Sequence, residues 1–194
     1  MKQTEILIVP GWGNSGPGHW QSIIENRLTG TLRVEQAWED TSLEAWSCNI
    51  DRAARALDHP PLVVAHSFGC LATAHALMAL GTPIAATLFV APANPQRFDL
   101  PTRLFSKPLR QSGLMIASEN DPWLTLEKAE TMASDWGIEC INIGAAGHIN
   151  VASGYGAWPY AENIIKLMRA EVDRPQPKYQ LPRLGRYRQD SHAV

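Results

Sequence analysis

Ser67 lies where a short apolar run meets a stretch of helix-forming residues. The run, residues 61–65, is typical of a buried strand, and residues 72–77 favour a helix. Small residues, Ala65 and Gly69, stand two positions before and after the serine, as a sharp strand-to-helix turn requires, although glycine is usual at both places. Such a turn presents the hydroxyl above the sheet edge, beside the first helix amides. We therefore predict a nucleophilic serine; the alternative is a helix N-cap, for which serine is also preferred.

A nucleophilic serine needs a base and an acid, and the later part of the chain offers both. Asp121 lies in the turn 118–122, after a predicted strand, and His148 lies in the glycine-rich loop 144–150, after the next strand. His148 would take the proton from the serine and return it to the leaving group, while Asp121 would orient the imidazole. Glu119 is the rival acid, but Asp121 is favoured because it precedes a proline in a rigid turn.

Acyl transfer of this kind forms an oxyanion, which backbone amides must receive. Residues 10–18 form a glycine-rich loop after the first predicted strand, and we assign the amides of Trp12 and Phe68 to the oxyanion hole. The loop also resembles a phosphate cradle, but it lacks the lysine and the G-x-x-x-x-G-K-[ST] spacing that nucleotide binding requires. Each glycine is explained equally well as a tight-turn residue.

Apolar runs and amphipathic segments alternate along most of the chain. This pattern predicts an α/β fold, a three-layer sandwich whose mostly parallel sheet carries helices on both faces. The predicted strands are residues 6–9, 32–36, 61–65, 84–90, 114–118 and 140–143. The predicted helices begin near residues 20, 43 and 68, and the last two cover residues 124–136 and 158–171. The serine, the acid and the histidine all follow strand ends, where the active sites of such sheets form.

The chain order of serine, aspartate and histidine is the one that α/β-hydrolases use. The chain resembles the small serine hydrolases of the retinoblastoma-binding-protein/YdeN-like group of that superfamily in four segments: VPGWG at 9–13, AHSFG at 65–69, NDP at 120–122 and GHIN at 147–150. The resemblance covers about residues 5–170. It implies a triad of Ser67, Asp121 and His148, about six strands in the order 2-1-3-4-5-6, and a compact fold without a lid domain. Members of the group act on esters or peptide-like amides, and the resemblance does not choose between these.

Aromatic side chains near the predicted turns indicate the walls of a substrate pocket. Trp12 lies in the oxyanion loop and Trp123 follows the acid turn, so each either lines the acyl or leaving-group pocket or covers its rim. The connection after the fourth strand, where larger hydrolases insert a lid, is short. Its apolar residues Phe98, Leu104 and Phe105 are the expected wall of a small, open pocket.

The remaining histidines and the cysteines have other expected roles. We expect His66 and His75 to be structural, and His19, beside the glycine-rich loop, is a weaker candidate for a substrate contact. No pair of histidines has metal-ligand spacing with a matching acid, so we predict neither a metal nor a cofactor. The three cysteines form no C-x-x-C pattern and are expected in the core as small hydrophobic residues: Cys48, Cys70 and Cys140.

Length and composition favour one domain with a substantial core, since the chain has 194 residues of which 45% are hydrophobic. A formal charge of −2 gives no reason to expect nucleic acid or a membrane as partner. Without a secretory h-region or a long apolar run, a cytoplasmic protein is expected. Composition changes at Asp173, so we divide the chain into an α/β-hydrolase domain, residues 1–172, and a Pro-rich basic tail, residues 173–194.

Together these patterns predict a serine hydrolase that cleaves carboxylic ester, or related acyl, bonds of small substrates through an acyl-enzyme. Two alternatives remain at this point. One is a catalytically silent binding protein on the same scaffold, and the other is a peptide or amide hydrolase of the aminopeptidase kind. The expected partner is a small-molecule acyl substrate.

Overall fold

The computed structural model describes residues 3–175, which form a six-stranded sheet with helices on both faces. The strands are β1 (Ile6–Val9), β2 (Thr31–Arg33), β3 (Leu62–Ser67), β4 (Ala86–Pro92), β5 (Ser112–Ala117) and β6 (Glu139–Asn142). Their spatial order is 2-1-3-4-5-6, and each neighbouring pair is parallel. The predicted fold class and strand order are both confirmed.

In this described part of the chain, five α-helices cover the two faces of the sheet: α1 (Trp20–Arg27), α2 (Leu43–Arg55), α3 (Phe68–His75), α4 (Leu126–Trp136) and α5 (Pro159–Val172). The helices α1 and α5 pack on one face through Trp20 and Ile165, and α2, α3 and α4 pack on the other through Trp46, Leu71 and Trp136. All five side chains are at most 1% exposed. The sheet therefore lies between two apolar cores, which hold its strand ends in fixed positions.

All strands except β1 differ from the sequence prediction in their limits, and β2 and β4 show two of the reasons. The edge strand β2 spans Thr31–Arg33 rather than residues 32–36, because it pairs with β1 over three residues only. Strand β4 begins and ends two residues later than predicted, since its register opposite β3 starts at Ala86 and runs on until Pro92 stands opposite Ser67. Proline is tolerated there because it terminates the strand.

The prediction that the cysteines lie in the core is correct for Cys70, partly correct for Cys140, which packs against the core, and wrong for Cys48. Cys70 is buried in α3, whereas Cys48 is exposed and Cys140 is only partly buried. The buried positions of α2 include Trp46 and Ile50, so Cys48, midway between them, faces solvent. Cys140 lies on β6, an edge strand.

The two ends of the described chain are joined to each other. The backbone N–H and hydroxyl of Thr4 both donate to the Asp173 carboxylate, at 3.0 and 2.6 Å. Arg169 of α5 donates to the carbonyls of Thr4 and Thr29, at 2.6 and 2.9 Å. The predicted boundary at residue 172 stays a prediction, since most of the predicted tail, residues 176–194, lies outside the described residues. Within residues 3–175, no helix has both the length and the apolar character that crossing a membrane requires.

Candidate active site

Ser67 occupies a sharp turn between β3 and α3. Its backbone has φ 54° and ψ −124°, a strained conformation for a residue with a side chain. The turn passes close to the loop after β1: a Cβ added to Gly69 would lie 2.4 Å from the Pro10 carbonyl oxygen, and one added to Gly11 would lie 2.7 Å from the Ser67 Cβ. The Ser67 side chain makes no capping hydrogen bond to α3, so the N-cap alternative is wrong.

The structure brings Ser67, His148 and Asp121 into one hydrogen-bonded row. The Ser67 Oγ lies 2.8 Å from the Nε2 of His148, and the Nδ1 of His148 lies 3.0 and 2.9 Å from the two carboxylate oxygens of Asp121. We assign the proton of the neutral imidazole to Nδ1, because the carboxylate can only accept, which leaves Nε2 free to accept from the serine hydroxyl. All three residues are at most 9% exposed, so little of the row reaches the protein surface.

The acid turn after β5 explains the choice between two carboxylates. Asp121 also accepts a hydrogen bond of 2.8 Å from the Trp123 backbone N–H, which fixes its side chain towards His148. The exposed Glu119 instead accepts from the Asn142 side-chain amide at 3.0 Å. The structure therefore places Asp121, and not Glu119, beside the imidazole.

The loop that carries His148 is attached to the acid turn. The backbone N–H of Ala146 donates to the Ser118 hydroxyl at 2.9 Å, and that of Gly147 donates to the Asn120 side-chain oxygen at 2.6 Å. Gly147 has φ 57°, and a Cβ at this position would lie 2.3 Å from the Ser153 hydroxyl. Glycine is required there because both the backbone angle and the close contact exclude a side chain.

Two further histidines lie behind the triad. The ring of His66 stands 4.9 Å from the rings of both His148 and His19, and its Nε2 lies 3.0 Å from the His148 carbonyl oxygen. Burial is the main cause that lowers the pKa of His66 well below its ordinary value. The sequence prediction of a structural role for His66 missed this contact with the His148 loop, because the contact joins residues 82 positions apart.

His19 and His75 have well-defined local partners. The Nδ1 of His19 accepts a 3.2 Å bond from the Gln21 backbone N–H and so caps α1. Burial, and then the charge of Arg33, lower the pKa of His19 to about 4. His75 is partly buried and bonds the Ser47 hydroxyl at 2.9 Å, as expected for a structural histidine. No group of three or more acidic, histidine or cysteine side chains within residues 3–175 has a geometry suited to a metal ion.

The loop after β1 lies against Ser67, as an oxyanion hole would require. The side-chain amide of Gln21 holds this region by donating to the carbonyls of Val9 and Val64, at 3.2 and 3.1 Å. Phe68 is the first residue of α3, so its N–H has no acceptor one turn earlier in the helix. The assignment of Trp12 and Phe68 as oxyanion donors stays a prediction.

A cavity of about 280 Å³ opens above Ser67. Trp12, Phe98 and Trp123 line one side of it, with the ring of Trp123 6.4 Å from that of Trp12 and 6.3 Å from that of Phe98. His19 also lines the cavity. All four residues therefore lie at the cavity beside Ser67, and their contact with substrate stays a prediction.

Two of the predicted wall residues lie elsewhere. Phe105 is buried in the core beneath α4, and its carbonyl accepts a 2.8 Å bond from the Trp136 indole N–H. Leu104 packs against the same core. A short 3₁₀ turn, Thr102–Phe105, directs them inward, away from the cavity that Phe98 reaches.

The strand order and the turn at the end of β3 define an α/β-hydrolase fold. The profile of the serine hydrolase family matches residues 6–167, and the chain belongs to this family. A comparison with curated protein sequences gave no significant match.

Solved structures give the same classification. The chain is 34% identical to a YdeN-like hydrolase from Pectobacterium atrosepticum, with a TM-score of 0.83 over 88% of this chain and 92% of the other. The ydeN gene product of B. subtilis is 18% identical, with a TM-score of 0.71 over 86% and 99%. Est1E from Butyrivibrio proteoclasticus, solved with ferulic acid bound, is 14% identical, with a TM-score of 0.63 over 88% of each chain. The last two likenesses concern the fold alone.

Proposed function

We propose that this serine hydrolase cleaves carboxylic esters of small, uncharged substrates through an acyl-enzyme formed on Ser67. The observation that carries the proposal is the row of short contacts from the Ser67 hydroxyl through His148 to Asp121. A serine alone is a weak nucleophile, and an imidazole at 2.8 Å with its other nitrogen on a carboxylate is what activates it.

The reaction follows from this arrangement. His148 accepts the hydroxyl proton at Nε2 while the Ser67 Oγ bonds to the ester carbonyl carbon. The carbonyl oxygen becomes an oxyanion, which the N–H groups of Trp12 and Phe68 stabilise. The bond to the alkoxy oxygen then breaks, and His148 returns the proton to the leaving alcohol. Water repeats the cycle: it gives its proton to His148, attacks the acyl-enzyme and releases the acid as Ser67 regains its proton.

The cavity favours an uncharged ester over an aminopeptidase substrate. None of the described residues that line it is Asp, Glu, Lys or Arg. The α-ammonium group of a peptide substrate would therefore lack a carboxylate partner, since Asp121 is committed to His148. The volume of about 280 Å³ suits a compact acyl or alcohol group. The YdeN-like hydrolase of 34% identity supports a hydrolytic use of this scaffold.

The test combines covalent labelling with turnover. A fluorophosphonate probe should label the folded wild-type protein, and p-nitrophenyl acetate should be hydrolysed. Ser67→Ala should abolish labelling and lower kcat by about four to six orders of magnitude. Ser134→Ala, at an exposed position on α4, is the matched control and should behave as wild type.

The two alternatives predict different results. Turnover of phenylalanine p-nitroanilide in preference to neutral esters would favour an aminopeptidase. A folded wild-type protein that neither reacts with the probe nor hydrolyses any activated ester or amide would instead indicate a silent binding protein.

A further inference from the structure

The backbone around His148 is strained on both sides. Gly147 has φ 57° and Ile149 has φ 48°. A left-handed conformation is acceptable for glycine but costly for a β-branched residue such as isoleucine. The loop therefore needs contacts from outside itself to keep His148 in this position.

Side-chain hydrogen bonds supply these contacts at three backbone groups of His148 and Ile149. The Ser153 hydroxyl accepts from the His148 N–H at 3.1 Å. The Nε2 of His66 lies 3.0 Å from the His148 carbonyl oxygen, and the indole N–H of Trp20 donates to the Ile149 carbonyl at 2.9 Å. A carbonyl only accepts, so the Nε2 of His66 carries a hydrogen and the ring donates it.

We propose that His66 is a positioning residue, whose Nε2–H holds the His148 loop at the correct distance from the neighbouring nucleophile. The proposal rests on the function proposed above. His66 precedes Ser67 in the chain, so one dipeptide carries the nucleophile and also anchors the backbone of its base. A displacement of about 1 Å between such groups can lower the rate by about a hundredfold.

The surroundings of His66 keep this donor in one protonation state. The titratable rings that face it are those of His19 and His148, and the indole of Trp20 packs against it at 6.0 Å. Burial, followed by the charges of the two other histidines, lowers its pKa, so the ring remains neutral while His148 takes up and releases its proton. A neutral His66 also avoids repelling the imidazolium that forms on His148 during each turnover.

Two substitutions of His66 distinguish the effect of losing the N–H donor from the effect of losing the ring itself. His66→Leu removes the N–H, whereas His66→Gln keeps an amide N–H of similar reach. We expect kcat for p-nitrophenyl acetate to fall about 10- to 100-fold in His66→Leu with KM changed less than about twofold, and kcat to return to within about fivefold of wild type in His66→Gln. His75→Leu, at a histidine bonded to Ser47 on the other face of the sheet, is the control and should retain its kcat. Unchanged kcat in His66→Leu, or equal losses in both His66 variants, would overturn the proposal.

Spectroscopy of the unmodified protein gives a readout that is independent of folding defects and of catalysis. In the full chain labelled with ¹⁵N-histidine, His66 should show a protonated Nε2 and an unprotonated Nδ1 throughout about pH 5 to 8. A second variant, Trp20→Phe, removes the neighbouring anchor and should lower kcat while leaving this tautomer intact. Observation of the Nδ1–H tautomer, or titration of His66 within this pH range, would refute the proposal. Absent turnover with the expected tautomer would instead contradict the function proposed for Ser67.

Discussion

At the scale of single residues, a buried histidine beside the triad links stability to pH. His19 is 6% exposed, and its pKa of about 4 lies below the 6.5 of an unhindered imidazole because burial penalises the charged form. As the pH falls below about 6.5, the unfolded chain takes up a proton at this site before the folded protein does. The free energy of unfolding should therefore be unaffected above about pH 6.5 and decline as the pH falls towards 4.

His19→Asn tests this link. Asparagine keeps an oxygen that can cap α1 in place of the Nδ1 but cannot titrate. Between about pH 7.5 and 4.5, wild type should lose about 2 kcal/mol more unfolding free energy than the variant, as measured by urea denaturation at each pH. Both proteins retain His66, and burial, the main cause of its lowered pKa, acts in both. Parallel pH curves for the two proteins would show that His19 is not held neutral by the fold.

At the scale of elements, the crossing of α3 over the end of β1 determines the position of Ser67. Gly69 allows this approach, since its missing Cβ would lie 2.4 and 2.6 Å from the carbonyl oxygens of Pro10 and Val9. Both oxygens belong to the backbone and cannot rotate away. The helix would have to move outward to accommodate even a methyl group, and Ser67 would move with it.

Gly69→Ala should therefore destabilise the protein by about 2–3 kcal/mol and lower kcat as well. Gly18→Ala is the matched control, because a Cβ there meets open space, and its stability should stay within about 0.5 kcal/mol of wild type. Urea denaturation measures the first effect, and p-nitrophenyl acetate turnover measures the second. A Gly69→Ala protein as stable and as active as wild type would mean that the crossing is looser than the structure indicates.

The sequence predicted these elements well where a local pattern determined them. The apolar run before Ser67 and the small residues around it indicated the turn, and strand ends indicated where Asp121 and His148 would meet. The sequence prediction was wrong or incomplete where the position of a side chain depended on contacts with residues distant in the chain. The inward direction of Phe105 depends on Trp136, and the role of His66 depends on a carbonyl far along the chain.

At the scale of the whole molecule, one buried cation joins the last helix to the start of the chain. Arg169 is 6% exposed, and it donates to the carbonyls of Thr4 and Thr29. Lys166, one turn earlier on α5, pairs instead with Glu162 at 2.7 Å in an exposed contact. The two cations share a helix but differ in burial, so they provide a matched comparison.

Arg169→Met should lower the free energy of unfolding by about 2–3 kcal/mol, because two charge-assisted hydrogen bonds disappear and two carbonyls lose their donor. Lys166→Met should change it by less than about 0.5 kcal/mol, as for other surface ion pairs. Denaturation in urea at neutral pH measures both. If Arg169→Met changed the free energy of unfolding as little as Lys166→Met, the hydrogen bonds of Arg169 to Thr4 and Thr29 would contribute little to stability.

The cavity has a kinetic consequence. Trp12 and Val151 line it and remain 50% and 56% exposed, and the connection between β4 and β5 contains only two short 3₁₀ turns. Solvent and ester therefore reach the cavity by diffusion, and no lid within the described residues has to open first. Under the proposed chemistry, water can therefore reach the covalent intermediate as soon as the alcohol departs.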